Sequence, residues 1–186
     1  MQLVISRDLL LQAINLISKA ADKRHNMVIL GNMKLALTDS QLVMVASDLE
    51  LELQATLNLP ESACKQPGEI TVPANKFKDI VKLLPDGLPV SISVGDDNQC
   101  LIVCGSSRFK LSTLPAQDFP LLGEPEQVTP IQLGREDLVD LLDKTHFAMA
   151  VQDVRYYLTG MLFEVKERQL ATVSTDGHRL ALARTV

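Results

Sequence analysis

The chain has 186 residues, enough for one large domain or for one domain and part of a second. Its apolar fraction of 46% suffices for a packed core, and no uninterrupted apolar run approaches the roughly 20 residues that cross a bilayer. The net charge of −5 argues against a protein that grips DNA by neutralising phosphates, so any hold on DNA would be weak or topological.

The N-terminus and the cysteines indicate the compartment. Charge appears at Arg7 and Asp8, too early for a secretory signal, so we expect a cytoplasmic protein. Three cysteines are an odd number and do not form a disulfide framework. Cys100 and Cys104 would share one face of a strand but lack the further Cys and His of a zinc site. We therefore expect buried thiols, no metal and no cofactor.

The first 57 residues predict a strand, a helix and three more strands. Alternation over Gln2–Ile5 predicts a strand, and Ser6 is a favourable N-cap for a helix from Arg7 to about Lys19. The helix has one apolar stripe, formed by Leu10, Ile14 and Ile17. The strands that follow are predicted at Met33–Leu37, Leu42–Ala46 and Leu49–Leu57.

The same order of elements recurs in the next half. A strand at Ile70–Val72 precedes Pro73, which stands where proline opens a helix. The helix has an apolar stripe of Phe77, Ile80, Val81 and Leu84. Three strands follow at Val90–Val94, Cys100–Cys104 and Ser107–Thr113, with a hairpin turn at Gly95–Asn98. One domain would be two such units, packed helix to helix and backed by antiparallel sheets.

A longer repeat covers the rest of the chain. A shift of 128 positions places Ser6–Leu51 on Gly134–Arg179 without a gap, with the apolar positions in register. A proline-containing linker precedes the second copy, so we predict domains at 1–125 and 126–186. The second copy reaches only a strand at Leu180–Arg184. Since half a core buries too little apolar surface to fold alone, we expect a truncated second domain.

Several independent segments resemble one known family. The most specific are Gln152–Phe163 (QDVRYYLTGMLF) and Thr175–Leu180 (TDGHRL). The first domain adds Ile29–Asn32, Ser47–Glu50, Val72–Ala74 and Leu111–Pro120. Together they are similar to the bacterial DNA polymerase III beta subunit, the sliding-clamp family, over nearly the whole chain.

This resemblance implies an α+β DNA clamp fold of repeated β-α-β-β-β units, with antiparallel sheets outside and helices lining the inner face. The family forms a head-to-tail homodimer of six similar domains, three per full-length subunit, so the third domain would be absent here. It implies a non-catalytic processivity factor that encircles duplex DNA. The implied protein partners are the DNA polymerase III alpha subunit, the clamp loader and repair proteins with clamp-binding peptides. No membrane partner is implied.

The resemblance also implies three sets of site residues. The DNA-facing positions are Arg24 and Gln152, which occupy the same place under the 128-residue shift. Lys19, Lys23, Lys78 and Lys82 could add positive potential or be ordinary solvated charges, whereas Glu136, Asp137, Asp140 and Asp143 make the third helix acidic. The peptide half-pocket would comprise Leu158, Thr175, Gly177, His178, Arg179 and Leu180. The ring interface would comprise Lys76, Arg108, Phe109 and Leu111.

Other interpretations stay open at this point. Asp176-Gly177 could be no more than a hairpin turn, since Asp48-Leu49 occupies the same place in the first repeat. Phe109 and Leu111 could be ordinary core residues. A clamp-like paralogue serving a dedicated partner or an inhibitor would share the pocket residues. An enzyme that reuses the repeat would need a polar cluster, and none of the three histidines has an evident catalytic partner.

Overall fold

A computed structural model describes residues 1–21, 26–95, 98–123, 127–166 and 169–185. The chain separates into two compact units: unit 1 spans Met1–Glu124 and unit 2 spans Pro125–Val186. Among the described residues, no helix is long and apolar enough to cross a membrane.

Unit 1 contains two halves with the same order of elements. The first half consists of β1 (Gln2–Ser6), α1 (Arg7–Ile17), β2 (Asn32–Leu37), β3 (Gln41–Ser47) and β4 (Glu52–Asn58). A short strand, β5 (Cys64–Gln66), joins it to the second half. The second half consists of β6 (Gly68–Pro73), α2 (Ala74–Leu83), β7 (Pro89–Val94), β8 (Gln99–Cys104) and β9 (Ser107–Ser112).

The two halves exchange their first strands. The sheets have the orders β5-β1-β7-β8-β9 and β4-β3-β2-β6, so β1 lies in the sheet of the second half and β6 in that of the first. Both exchanged strands pair antiparallel, with Leu3 opposite Ile92 and Ile70 opposite Leu35. The halves therefore cannot separate without breaking strand pairing.

The two helices of unit 1 bury their apolar stripes in one core. Leu10 and Ile14 of α1 and Phe77 and Val81 of α2 are fully buried, as the spacing predicted. Arg7, the first residue of α1, also donates hydrogen bonds to the carbonyls of Val81 and Lys82 in the last turn of α2. The start of one helix meets the end of the other, so the pair runs antiparallel.

The cysteines of β8 are buried, which confirms that interpretation. Cys100 and Cys104 are fully buried in the core of unit 1, whereas Cys64 is half-buried. Burial raises the pKa of the Cys100 thiol to about 12, because the thiolate would lose its hydration there. No group of three or more His, Cys, Asp and Glu side chains suited to a metal occurs among the described residues.

Some local predictions were wrong. Ser6 occupies the N-cap position, but its side chain makes no capping hydrogen bond. The first α-helix ends at Ile17 and continues only as a 3₁₀ turn over Ser18–Ala20. The strand predicted from Leu49 begins at Glu52, because residues 48–51 form a turn. Asp96 and Asp97 of the expected hairpin turn at 95–98 lie outside the described residues.

Unit 2 repeats the first half of unit 1. It contains α3 (Arg135–Thr145), β10 (Leu162–Lys166), β11 (Gln169–Thr175) and β12 (Leu180–Arg184), with the sheet order β10-β11-β12. The 128-residue shift places α1 on α3 and β3 on β11 end for end. Leu141 of α3 packs against Leu170 and Ala183 of the sheet. The predicted α+β fold of repeated units is confirmed.

Candidate functional site

The turn between β11 and β12 holds most of the predicted peptide-binding residues. Asp176 organises it: one carboxylate oxygen accepts hydrogen bonds from the backbone N–H groups of His178 and Arg179, each at 2.9 Å. The other oxygen accepts from Arg179 Nε at 3.0 Å. Thr175 Oγ1 donates to the Arg179 carbonyl at 2.7 Å and accepts from the Gly177 N–H. The same backbone hydrogen bonds hold the pKa of the Asp176 carboxyl below its ordinary value.

The equivalent turn in unit 1 has the same hydrogen bonds from backbone N–H groups to side chains. One Asp48 carboxylate oxygen accepts from the N–H groups of Glu50 and Leu51, at 3.0 and 2.7 Å. Leu49 has a φ of +73° where Gly177 has +89°. The turn conformation is thus a property of the repeat, and any function specific to unit 2 must come from the side chains that replace Glu50 and Leu51.

Arg155 fixes the turn from the side. Its guanidinium makes a two-point ion pair with Asp153, with N···O distances of 3.0 and 2.7 Å, and Nη2 also donates to the Asp176 carbonyl. This guanidinium lowers the pKa of Asp153 to about 2. A Cβ at Gly177 would lie 3.1 Å from Arg155 Nη1, so glycine permits this close approach.

A shallow apolar pocket lies beside the turn. It has a volume of about 170 Å³. Leu158 and Thr175, both predicted, lie in its wall together with Tyr157, Gly160, Leu162, Val173 and Ser174. Leu180 pairs with Thr175 in the sheet and leaves 65% of its surface exposed. A neighbouring apolar side chain could therefore bury surface against both Leu158 and Leu180.

Arg179 extends this surface on the other side of the turn. Its guanidinium carbon lies 5.7 Å from the centroid of the Phe147 ring, a cation–π arrangement. Phe147 is 53% exposed, and the Arg179 side chain is 58% exposed. Within the part of the chain that the structure describes, the guanidinium forms one ion pair, through Nε to Asp176. Its terminal nitrogens thus remain positioned to donate to a carbonyl of a bound chain.

The Asp176–His178 pair does not resemble a catalytic relay. Asp176 binds the backbone of His178 and the side chain of Arg179, so its carboxylate is occupied in shaping the turn. The surface offers apolar contacts and hydrogen-bond donors, which suits binding of an extended peptide better than bond making or breaking.

The predicted DNA-facing residues are only partly described. Arg24 and Lys23 lie outside the described residues. Gln152 is exposed in a loop of unit 2 and has a φ of +56°, so its backbone is held in the left-handed region. Lys78 donates to Ser18 Oγ at 3.1 Å, which fixes its position on α2. The acidic residues of α3 are exposed, and Asp140 pairs with Lys144.

The predicted ring-interface residues divide between surface and core. Arg108 and Lys76 are exposed. Phe109 is half-buried against the core of unit 1, and Leu111 is a core residue with 7% of its surface exposed. All but Lys76 belong to β9, the last strand at one edge of its sheet, so its backbone is placed for contact with another chain.

Sequence reasoning missed several residues of the candidate site. Arg155 was not singled out, because its contact with the turn joins positions 21 residues apart. Phe147 was missed for the same reason: nothing in the sequence places it under Arg179. The repeat was the available signal for Leu162 and Val173, because the 128-residue shift places them on Lys34 and Val45, which pair in the same way in unit 1. Tyr157 falls on Ile29, outside the strands.

Comparisons with known proteins agree along the chain. Residues 1–123 match the family model "DNA polymerase III beta subunit, N-terminal domain", and residues 132–186 match "DNA polymerase III beta subunit, central domain". The beta sliding clamp of Pseudomonas putida is 46% identical over 98% of this chain, and that of Escherichia coli K12 is 41% identical over the same share. The chain spans about half (49%) of the length of each relative.

Solved structures show the same likeness. The DNA polymerase III subunit beta of Pseudomonas aeruginosa superposes with a TM-score of 0.93 at 43% identity, over 100% of this chain and 50% of that one. The Caulobacter crescentus pol III beta gives a TM-score of 0.91 at 38% identity, with the same two coverages. One structure of the Pseudomonas aeruginosa clamp is of a complex with griselimycin.

Proposed function

Because this chain belongs to the DNA polymerase III beta subunit family, we propose that it serves as a sliding-clamp subunit. In this role it is a processivity factor: part of a ring that encircles duplex DNA and binds polymerase and repair proteins through short peptides. The relatives are named beta sliding clamps, whereas no observation favours a paralogue with a dedicated partner or inhibitor. We place the boundary between its clamp domains at residue 125.

The observation that carries this proposal is the peptide-docking surface of unit 2. An open apolar pocket containing Leu158 lies next to an exposed Leu180, and Arg179 is held over Phe147 beside them. An extended peptide could place apolar side chains on the leucines and a backbone carbonyl on the guanidinium. The equivalent turn of unit 1 has Glu50 and Leu51 instead and lacks such a donor.

DNA binding in this proposal is topological and independent of sequence. A net charge of −5 gives no general attraction for phosphates, so enclosure rather than affinity retains the duplex. Arg24 and Gln152 are the proposed DNA-facing residues, and Gln152 is exposed on a loop with its own backbone in the left-handed region. Such loose contacts to phosphates carry no sequence information and permit sliding.

The ring closes head to tail through the edge at β9. Arg108 of β9 and Lys76 of α2 are both exposed and would contact a partner subunit directly. The Leu111 side chain is buried in the core of unit 1, so it would stabilise β9 and contribute to the interface only indirectly. We propose a non-catalytic protein located in the cytoplasm, because its relatives belong to the bacterial replication polymerase.

The test is a peptide titration. A synthetic peptide from the clamp-binding region of the polymerase III alpha subunit is added to the ¹⁵N-labelled chain, up to about millimolar concentration. We expect shifts at Leu158, Thr175 and Leu180. Burying a leucine side chain is worth about 1.5–3 kcal/mol, so Leu180→Asp should weaken binding at least tenfold.

The matched control is Leu83→Asp, which changes an exposed leucine of unit 1 (80% exposed, against 65% for Leu180). This control should bind the peptide within about twofold of the parent chain. Equal weakening by both substitutions, or shifts confined to residues outside the pocket, would contradict the proposed docking surface.

A further inference from the structure

The centre of β3 is apolar on both faces of its sheet. Residues 42–46 form the continuous apolar sequence LVMVA. Because alternate side chains of a strand point to opposite faces, Leu42 and Met44 lie in the core of unit 1, whereas Val43 and Val45 face outward. An antiparallel sheet with one face in water has polar side chains on that face. The two outward valines therefore indicate that a further part of the chain covers the outer face.

Residues 114–122, which we name the strap, cover these valines. Phe119 of the strap packs against Ile29, Val43 and Val45, and only 5% of its surface is exposed. We call these three residues the seat of Phe119. A phenylalanine that is almost fully buried on a sheet surface gives the strap a large apolar contact.

Hydrogen bonds hold the strap at its two ends. At the start, Leu114 and Thr71 form an isolated antiparallel bridge, in which the Leu114 carbonyl accepts from the Thr71 N–H and hydroxyl at 3.3 and 3.0 Å. At the end, the Leu122 N–H donates to a Glu52 carboxylate oxygen at 2.8 Å. Main-chain hydrogen bonds combined with a pocket for a side chain are also how extended peptides bind other proteins. The strap thus contacts unit 1 as a bound peptide would.

The repeat places the unit 2 pocket at the same position. Under the 128-residue shift, Ile29 and Val45 of the seat correspond to Tyr157 and Val173, which lie in the wall of that pocket. Phe119 therefore occupies in unit 1 the position that the candidate pocket has in unit 2.

We propose that the seat is a binding site for an extended peptide with a phenylalanine anchor, and that the strap closes this site as an intramolecular ligand. The strap itself defines the chemistry of the ligand: a phenylalanine, a proline directly after it, and a backbone N–H three residues after the phenylalanine for Glu52. The strap follows β9 directly, so its effective concentration at the seat is at least about millimolar. An added peptide can therefore occupy the seat only when the strap is released. All of these contacts lie within unit 1, so the inference is independent of peptide binding by unit 2.

The end of the strap leaves part of the outer face open. A groove of about 340 Å³ lies beside it, lined by Leu121 and Leu122 of the strap and by Lys34, Glu52 and Gln54 of the sheet. The two leucines are 53% and 41% exposed, so lifting this end exposes little further apolar surface. The counterparts of the three polar residues in unit 2 are leucines. The unit 1 site would therefore select a peptide by polar contacts that unit 2 does not offer at these positions.

The first test releases the strap. Phe119→Ser is introduced into the chain, whose methyl groups are labelled with ¹³C, and a synthetic peptide of residues 113–123 is added up to about millimolar concentration. We expect the peptide to shift the methyl signals of the seat. It should also raise the urea midpoint of unit 1, which the substitution alone should lower by about 1.5 M. In the parent chain the same signals should not move, because the strap occupies the seat.

Two controls match this variant. Leu121→Ser changes a strap residue that is 53% exposed and lies outside the seat, so the seat signals should behave as in the parent chain. A peptide in which serine replaces the phenylalanine should shift no seat signal in the Phe119→Ser chain, because it lacks the anchor.

A second variant retains Phe119 and so does not depend on the stability of the first. Leu122→Pro removes the N–H that Glu52 accepts, at an exposed position, so the strap should open more often. The peptide should then shift the seat signals by part of the amount seen with Phe119→Ser. Unchanged seat signals in both variants would overturn the proposal, as would equal shifts in the parent chain. Shifts confined to Leu158 and Val173 would place the peptide on unit 2 and overturn it as well.

Discussion

Arg7 should hold the two halves of unit 1 together at the helix ends. Its guanidinium donates to the Val81 carbonyl at 3.2 Å and to the Lys82 carbonyl at 2.8 Å, and its side chain is only 14% exposed. These are charge-assisted bonds to two carbonyls in the last turn of α2, of which that of Val81 also accepts the Leu84 N–H at 3.3 Å. Arg7→Ala removes both bonds, the one to Val81 partly buried and the one to Lys82 exposed.

The expected cost is about 2 kcal/mol of unfolding free energy. A hydrogen bond from a charged donor contributes roughly 1.5–3 kcal/mol, and partial exposure of this pair reduces the sum. The ion pair of Arg7 with Asp86 adds less than about 1 kcal/mol, because the Asp86 side chain is 81% exposed. With a urea m-value of about 2 kcal/mol/M, the midpoint should fall by about 1 M.

The composition of the chain allows the two units to be followed separately. It has no tryptophan, and both of its tyrosines, Tyr156 and Tyr157, lie in unit 2. Tyrosine fluorescence therefore follows unit 2 alone, whereas circular dichroism at 222 nm follows both units. Arg7→Ala should shift the dichroism transition and leave the fluorescence transition in place.

Two controls isolate the helix-end contact. Asp86→Ala removes only the exposed ion pair and should shift the midpoint by less than about 0.5 M. Arg135→Ala changes the counterpart of Arg7 in unit 2, where the described residues provide no hydrogen bond or ion pair for it. Arg135→Ala should shift neither transition. An Arg7→Ala midpoint equal to that of Asp86→Ala would refute this account.

Three further outcomes are expected. The paired guanidinium lowers the pKa of the Asp153 carboxyl to about 2, and carbon NMR should find the titration midpoint near that value. The ion pair is fully formed above the ordinary pKa of 3.8 and is lost as the pH falls through about 2. A midpoint near 3.8 would contradict the pairing. Gly177→Ala should lower the urea unfolding free energy of unit 2 by about 1 kcal/mol, because alanine is strained at this positive φ. Leu49→Gly at the matching turn should relieve backbone strain, so unit 1 should lose at most about 0.5 kcal/mol. Similar losses from both substitutions would contradict this. Iodoacetamide at pH 8 should label Cys64 and spare Cys100, whose burial raises the thiol pKa to about 12, as mass spectrometry of the peptides will show.

Periodicity predicted the elements that carry most of the core. The 3.6-residue stripe of α1 and the alternation of β2 were visible because each buries one face, and the apolar residues mark that face. β5 was missed, because Cys64-Lys65-Gln66 has no apolar alternation and forms a strand only by pairing with β1, more than 60 residues away. Leu49 and Leu51 suggested a strand, but the Leu49 N–H donates to the Ser47 hydroxyl and the Leu51 N–H to the Asp48 carboxylate, and these bonds hold both residues in a turn.

The candidate site was predictable only as far as the repeat and the resemblance reached. Leu158 and Thr175 were selected and lie in one pocket wall. Arg155 was not, because its role depends on how a loop approaches a turn 21 residues later. Such contacts between distant positions produce no periodic pattern in a sequence. The three-dimensional arrangement alone shows that Arg155 pairs with Asp153 and also contacts the turn.

The two aspartate turns have the same backbone conformation, but only that of unit 2 belongs to the proposed peptide-binding surface. Backbone N–H groups fold onto the carboxylate of Asp48 in unit 1 and of Asp176 in unit 2, so the local stability of the turn does not depend on the residues that follow. Those positions are then free to vary. Arg179, placed there, reaches Phe147, and Gly177 allows the supporting guanidinium to approach. Because the scaffold already fixes the backbone, a few side-chain changes would suffice to convert a plain hairpin into the proposed binding surface.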